Sequence, residues 1–198
     1  MFSSLFLLSA LTFVGANPLL VRQLQEGPNC ALNAMGMGVS IQLNDSVLHP
    51  FFELGVPFIE AGVTLRAVST VHGWEQPDFH LQQNGQAKPS YIIKDVSDNN
   101  LALTFLGASN GNRLTLEQAS NSGNDVTQLW DLSCGFCDPN AATHPSGAVL
   151  GGACMMHPHS LPDQCVQVMF HSHSAPYPVV GPCDVFNMLQ FFNVVIGG

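Results

Sequence analysis

Positive charge is scarce in this 198-residue chain. Five Lys or Arg face fourteen Asp or Glu, a formal net charge of −9, and the five cations (Arg22, Arg66, Lys88, Lys94, Arg113) are scattered. Binding a phosphate backbone takes several clustered cations, so nucleic acid and anionic membrane surfaces are not expected as partners. Long apolar runs are missing too. The one that stands out, residues 5–14, has ten residues, about half of what a membrane-spanning helix needs. No membrane insertion is expected. Catalytic signatures are equally absent: no nucleophile elbow, phosphate loop or HExxH occurs. Nothing ties Glu53, Glu60 or Glu117 into an acid–base pair. The chain is therefore expected to act by binding, with no enzyme activity, cofactor or metal site.

The apolar run at residues 5–14 ends in Val14-Gly15-Ala16, the small-residue pattern of a signal-peptidase site. Residues 1–16 read as a secretory signal peptide, leaving 17–198 as one extracellular domain. Secretion gives the six cysteines their meaning, because an even count in an oxidising compartment favours disulfides. Cys134-Gly135-Phe136-Cys137 lacks the βαβ context of a redox motif, so structural disulfides are expected there. Asn44-Asp45-Ser46 is the single N-glycosylation sequon, making Asn44 a candidate glycan attachment site.

Helical patterns are few. Short runs of β-type composition, such as residues 91–93, 101–106 and 194–196, alternate with turn clusters at 97–100, 109–112 and 120–125. Gly, Asn, Asp and Ser supply the turn conformations that hairpins require. The pattern predicts an all-β barrel or sandwich, with at most a short helix at residues 184–190.

An internal repeat organises these runs. Residues 29–36 and 100–107 share Asn, Ala, Leu and Gly at corresponding places. Val63-Thr64-Leu65 answers Leu114-Thr115-Leu116, and each Leu is followed fourteen residues later by an aromatic, Phe79 and Trp130. A fainter third copy runs through Cys165-Val166-Gln167-Val168 and Pro178-Val179-Val180 to Phe192. Repeats of this length close together because one copy cannot bury its own apolar face. Three units are expected, at residues 20–83, 90–133 and 147–198. The first is stretched by an insertion at 43–60 holding Phe51, Phe52 and Phe58, expected to pack over the barrel. Residues 134–145 form an irregular connector.

The second unit, from Tyr91 through Gln128-Leu129-Trp130, resembles one repeat of the ricin-B-type β-trefoil lectins, whose hallmark is a Gln-x-Trp ending. Gln190-Phe191-Phe192 resembles the same ending with Phe for Trp, and Pro77-Asp78-Phe79 an eroded copy. The resemblance implies a β-trefoil of three pseudo-repeats, with Phe79, Gln128, Trp130, Gln190 and Phe192 as structural core. It also implies an intra-repeat disulfide between Cys165 and Cys183, leaving three possible pairings for Cys30, Cys134, Cys137 and Cys154.

The resemblance further implies a glycan or glycoprotein as ligand, held by an Asp soon after an early strand, an aromatic platform and an Asn beside the Gln. Those places fall on Thr104, Glu117 and Thr127 in the second unit, and on Gln167, Gly181 and Leu189 in the third. In the first they fall on Asn33, Arg66 and Pro77. Only Asn33 and Gln167 keep sugar-compatible side chains and no platform is aromatic, so Asn33, Thr104 and Gln167 are weak candidate ligand residues. The competing expectation is a trefoil that has lost sugar binding and contacts a secreted protein, such as a protease inhibitor or effector. His157-Pro158-His159 and His171-Ser172-His173 could chelate metal if extended. Their Pro and Ser flanks read instead as loops of solvated histidines that add pH sensitivity.

Overall fold

Burial alternates along the first strand: Val39, Ile41 and Leu43 point inward, Ser40 and Gln42 outward, the two-residue period of a half-buried strand. The computed structural model describes residues 30, 32–34, 37–44, 52–69, 79–85, 89–120, 122–140, 143–172 and 174–197. The expected signal peptide, Phe51 and Pro77 lie outside these residues. Thirteen strands run through the described part: β1 (Val39–Leu43), β2 (Phe52–Gly55), β3 (Arg66–Ser69), β4 (Phe79–Gln83), β5 (Tyr91–Asp95), β6 (Leu101–Phe105), β7 (Leu114–Gln118), β8 (Leu129–Ser133), β9 (Phe136–Cys137), β10 (Val149–Pro158), β11 (Gln164–His171), β12 (Ser174–Pro182) and β13 (Phe192–Ile196). The fold is all-β. The stretch where a short helix was possible makes only a 3-10 turn, Met188–Gln190.

Six strands close into an antiparallel ring. β1 pairs with β13, β13 with β10, β10 with β8, β8 with β5, β5 with β4, and β4 with β1. Closure satisfies backbone groups that an open sheet would leave at its edges. The remaining long strands form three hairpins, β2–β3, β6–β7 and β11–β12. The hairpins touch: Thr64 bridges Thr115, Arg113 bridges Val179, and β3 packs beside β12.

The three expected aromatics occupy matching places in the ring. Phe79 lies opposite Val39 and Asp95, Trp130 opposite Tyr91 and Pro158, and Phe192 opposite Cys154 and Leu43. All three are fully buried, as are Leu103, Leu116 and Val166. Burying each ring contributes about 1.5–3 kcal/mol relative to exposure. Trp130 adds a hydrogen bond, its Nε1–H donating to the Leu103 carbonyl at 3.0 Å. Tyr91 is held similarly, its hydroxyl donating to the Leu32 carbonyl at 2.9 Å, and burial pushes its ionisation above the usual tyrosine value.

Two expectations about the first unit are corrected. The segment at 29–36 is not the counterpart of 100–107. Its described residues 32–34 precede β1, where Leu32 and Ala34 are buried, whereas 101–105 is a hairpin strand. β2, at residues 52–55, is the first strand of a hairpin as β6 is, and lies within the stretch expected to be an insertion. Phe52 of β2 packs edge-on against Phe170 of β11, with ring centroids 5.4 Å apart. What remains of the excess is the link at 44–51, longer than its counterparts at 96–100 and 159–163. Short words of Leu, Ala and Asn recur too easily to settle which segments pair; register does that.

The disulfides join Cys30 to Cys137, Cys134 to Cys154 and Cys165 to Cys183. The pair implied by the resemblance is present, and the open pairing is resolved. Cys134 and Cys137 go to different partners, so they do not form a dithiol switch between themselves. The connector is less irregular than expected, because β9 within it pairs with β10. β10 bulges there: Ala153 has φ of 50°, and a side chain at Gly151 would run into Leu32 Cδ2. Any larger residue there would have to displace the Leu32 side chain.

Trp130→Ala should cost about 3–5 kcal/mol, as large-to-small changes of buried aromatics do. Trp130→Phe should cost about 1–3 kcal/mol, because the Leu103 carbonyl is left unpaired. Urea unfolding of the oxidised protein measures both. Costs no larger than those of a solvent-exposed substitution would contradict this account of the core.

Candidate ligand-binding surface

The hairpins present the surface where the resemblance places sugar, and two buried glutamines organise it. Gln128 lies just before β8. Its Oε1 accepts the Ser120 backbone N–H at 2.8 Å, while Nε2 donates to the Gln118 carbonyl at 2.8 Å and the Thr104 hydroxyl at 3.2 Å. Gln190 lies just before β13 and repeats the pattern. Its Oε1 accepts the Asp184 N–H at 2.8 Å, and Nε2 donates to the Pro182 carbonyl at 2.8 Å and to Gln167 Oε1 at 3.2 Å. In these two cases one amide pins the hairpin's two strands to the chain entering the next ring strand. Both glutamines are buried, and a buried amide is tolerated only with such partners.

This arrangement uses up the expected ligand places. Thr104 is 1% exposed; its hydroxyl donates to the Ala102 carbonyl at 3.0 Å and accepts from Gln128. Gln167 Oε1 accepts from both Asn187 Nδ2, at 3.1 Å, and Gln190. Its amide also covers Gly181, where an added Cβ would lie 2.8 Å from Nε2. The platform position of the third unit is thus filled by Gln167 itself. Asn33 is exposed but lies outside the hairpins. The strand place paired as Thr104 is with Thr115 belongs in the first hairpin to Gly55, paired with Arg66. Asn33, Thr104 and Gln167 are therefore not three copies of one site. Glu117 and Leu189 are half-buried.

Asn44, the sequon residue, follows β1 and is half-buried. Its backbone N–H donates to the Phe191 carbonyl at 2.8 Å, and its Oδ1 accepts from Asn193 Nδ2 at 3.0 Å. Glycan attachment uses the other amide atom, Nδ2, which that bond does not engage.

The first histidine pair splits. His159 is exposed, and its Nδ1 lies 3.1 Å from both Asp131 oxygens and 3.0 Å from Ser90 Oγ. These are the residue types of a hydrolytic triad without its relay. Ser90 is 2% exposed and donates to Asp131 directly at 2.6 Å, and serine and aspartate meet the same imidazole nitrogen. A relay needs one nitrogen for each. His157 is half-buried, with Nδ1 3.1 Å from the Pro162 carbonyl and 3.5 Å from both sulfurs of the Cys165–Cys183 disulfide. Bridged sulfurs have no thiolate to give a metal, so this grouping is not a metal centre. Burial pushes the His157 imidazole below its usual value, against the pull of the Pro162 carbonyl and Asp131. Of the second pair, His173 lies outside the described residues.

His171 belongs instead to a surface stack that sequence reasoning missed. Its ring is near-parallel to Tyr177, at 8° with centroids 5.4 Å apart, and its Nε2 lies 2.9 Å from the Tyr177 hydroxyl. The Arg113 guanidinium sits 4.3 Å from the centre of the Tyr177 ring. The three residues come from two hairpins, brought together by the Arg113–Val179 bridge and the hydrogen bond from the Val180 N–H to the Asn112 carbonyl.

Gln128→Leu and Gln190→Leu should each lower stability by about 1–3 kcal/mol, the cost of leaving buried backbone groups unpaired. Thermal unfolding checks this, and a neutral outcome would contradict the pinning role. His157 sets a pH dependence. Its folded-state affinity for a proton lies below that of the unfolded chain, so stability should fall as pH drops through about 6.5 and towards the lowered folded value. His157→Gln should flatten that slope in melting curves between pH 7.5 and 5. An unchanged slope would assign the effect elsewhere.

No protein-family model matches this chain, and no curated protein matches it either. Solved structures do. A mosquitocidal holotoxin is similar with a TM-score of 0.61 at 13% identity, over 85% of this chain and 18% of that one, so this chain spans under a fifth of its length. The Haemophilus ducreyi cytolethal distending toxin is similar with a TM-score of 0.55 at 11% identity, covering 87% of this chain and 90% of that one. The C-terminal domain of an earthworm lectin, a mutant in complex with 6'-sialyllactose, has a TM-score of 0.53 at 10% identity, covering 81% and 98%. At such identities the likeness shows the fold alone, an all-β fold shared with a lectin domain and with toxins.

Proposed function

We propose that this chain is a secreted β-trefoil of three pseudo-repeats, resembling the ricin-B-type lectins, that binds an extracellular glycan or glycoprotein without catalysis or cofactor. The repeats are β1–β4, β5–β8 and β10–β13, each giving two strands to the ring and one hairpin. The observation that carries the reading is the likeness to the earthworm lectin domain, of which 98% is covered. Three disulfides are consistent with an extracellular setting, with residues 1–16 removed on secretion and Asn44 open to glycosylation. Because Thr104 and Gln167 serve the internal amide network, the sugar would be held elsewhere on the hairpin surface.

A second reading, binding to a secreted protein, is favoured by a different observation. Phe58 between β2 and β3 is 68% exposed, and Phe186 between β12 and β13 is 75% exposed. Exposed aromatics are common anchors of protein interfaces.

A broad glycan array probed with the oxidised protein tests the first reading. Binding to a defined subset of glycans is expected, and silence across the array would reject it. Loss of partner capture in Phe58→Ser or Phe186→Ser, with glycan binding absent, would establish the second.

A further inference from the structure

We propose that Arg113, Tyr177 and His171 form a binding site for an acidic sugar residue, one bearing a carboxylate or a sulfate. The proposal rests on the glycan-binding reading and adds a place and a charge to it.

The site is built by the backbone as well as by side chains. Gly111 and Asn112 both adopt left-handed conformations, with φ of 60° and 57°. Two consecutive residues there are unfavourable except for Gly and, at less cost, Asn. The turn delivers the Asn112 carbonyl to the Val180 N–H at 2.8 Å and sets Arg113 opposite Val179. Arg113 is thereby held over Tyr177 from a neighbouring hairpin. On its own hairpin Tyr177 is steadied by His171, whose ring extends the flat surface nearly in parallel. Arg113 and His171 are exposed and Tyr177 is half-exposed.

Charge then selects the ligand. The two ion pairs among the described residues, His144–Asp138 and His159–Asp131, leave Arg113 out. Among the described residues Arg113, like Arg66 and Lys94, has no carboxylate at ion-pair distance, and in a chain of net charge −9 with five Lys or Arg its exposed guanidinium is a local positive charge beside an aromatic pair. Its fork of N–H donors matches the paired oxygens of a carboxylate or sulfate. With the guanidinium over Tyr177, the exposed His171 ring offers the flat face on which a pyranose ring can pack, and the phenol–imidazole pair can exchange hydrogen bonds with ring hydroxyls. A neutral sugar can accept hydrogen bonds from the guanidinium but leaves its charge unmatched. Thr104 and Gln167, tied into internal bonds, offer nothing comparable.

Calorimetric titration of the full oxidised chain with 6'-sialyllactose, lactose 3'-sulfate and plain lactose tests the proposal. At least one acidic sugar should bind about tenfold or more tighter than lactose, as a charge-assisted bidentate contact would provide. Whichever wins distinguishes carboxylate from sulfate. Arg113→Ala should abolish the preference while leaving the melting temperature unchanged, and Arg113→Lys should restore only part of it. Equal binding of acidic and neutral sugars, or a preference that survives Arg113→Ala, overturns the acidic site but leaves glycan binding standing. Binding to none of the sugars overturns the site, and silence on the glycan array in addition removes the reading beneath it.

Discussion

Closure of the six-strand ring is the constraint on which everything else rests. β13 returns to pair with β1 over five residue pairs, from Val39–Ile196 to Leu43–Phe192. Once it does, the register of the ring positions one large ring at the end strand of each unit. Phe79, Trp130 and Phe192 then meet a single core instead of three small ones. A slip of one residue in any of these strands would turn its buried face outward. The register is therefore held by the same apolar side chains that it buries.

Between ring and hairpins the coupling is polar. Gln128 and Gln190 reach back to bind a backbone N–H, a hairpin carbonyl and a side chain of the hairpin's first strand. These two amides thus pin the hairpins β6–β7 and β11–β12 by satisfying groups that would otherwise be costly to bury. The consequence for function is direct. Side chains recruited to hold the fold are withdrawn from the ligand, and this is what happens to Thr104 and Gln167. A binding surface must then come from residues the fold does not use, and these lie where hairpins of different units meet.

Covalent links complete the frame at its least regular part. Cys30–Cys137 ties the segment before β1 to β9, and Cys134–Cys154 holds β8's end to the bulge of β10. A side chain at Gly151, in that bulge, would have to displace Leu32. The connector between the second and third units is fixed by cross-links and by β9, with little apolar burial of its own. The third bridge, Cys165–Cys183, closes β11 and β12 beneath the half-buried His157.

By itself the sequence determined the class of fold and most of its core. Alternating apolar runs and turn residues marked β5, β6, β7, β8 and β13, and the terminal aromatics Phe79, Trp130 and Phe192 marked the buried centre. These were legible because burial and strand period are local properties of the chain. It did not determine the first unit, where the words at 29–36 and 100–107 look alike but the register makes 52–55, like 101–105, the first strand of a hairpin. Nor did it show that Thr104 and Gln167 are spent on internal bonds, or that Arg113 lies over Tyr177. Those facts depend on which side chains close distances of 24, 23 and 64 residues along the chain. Tertiary structure alone decided them, because a hydrogen bond or a stack between hairpins leaves no periodic trace in either segment.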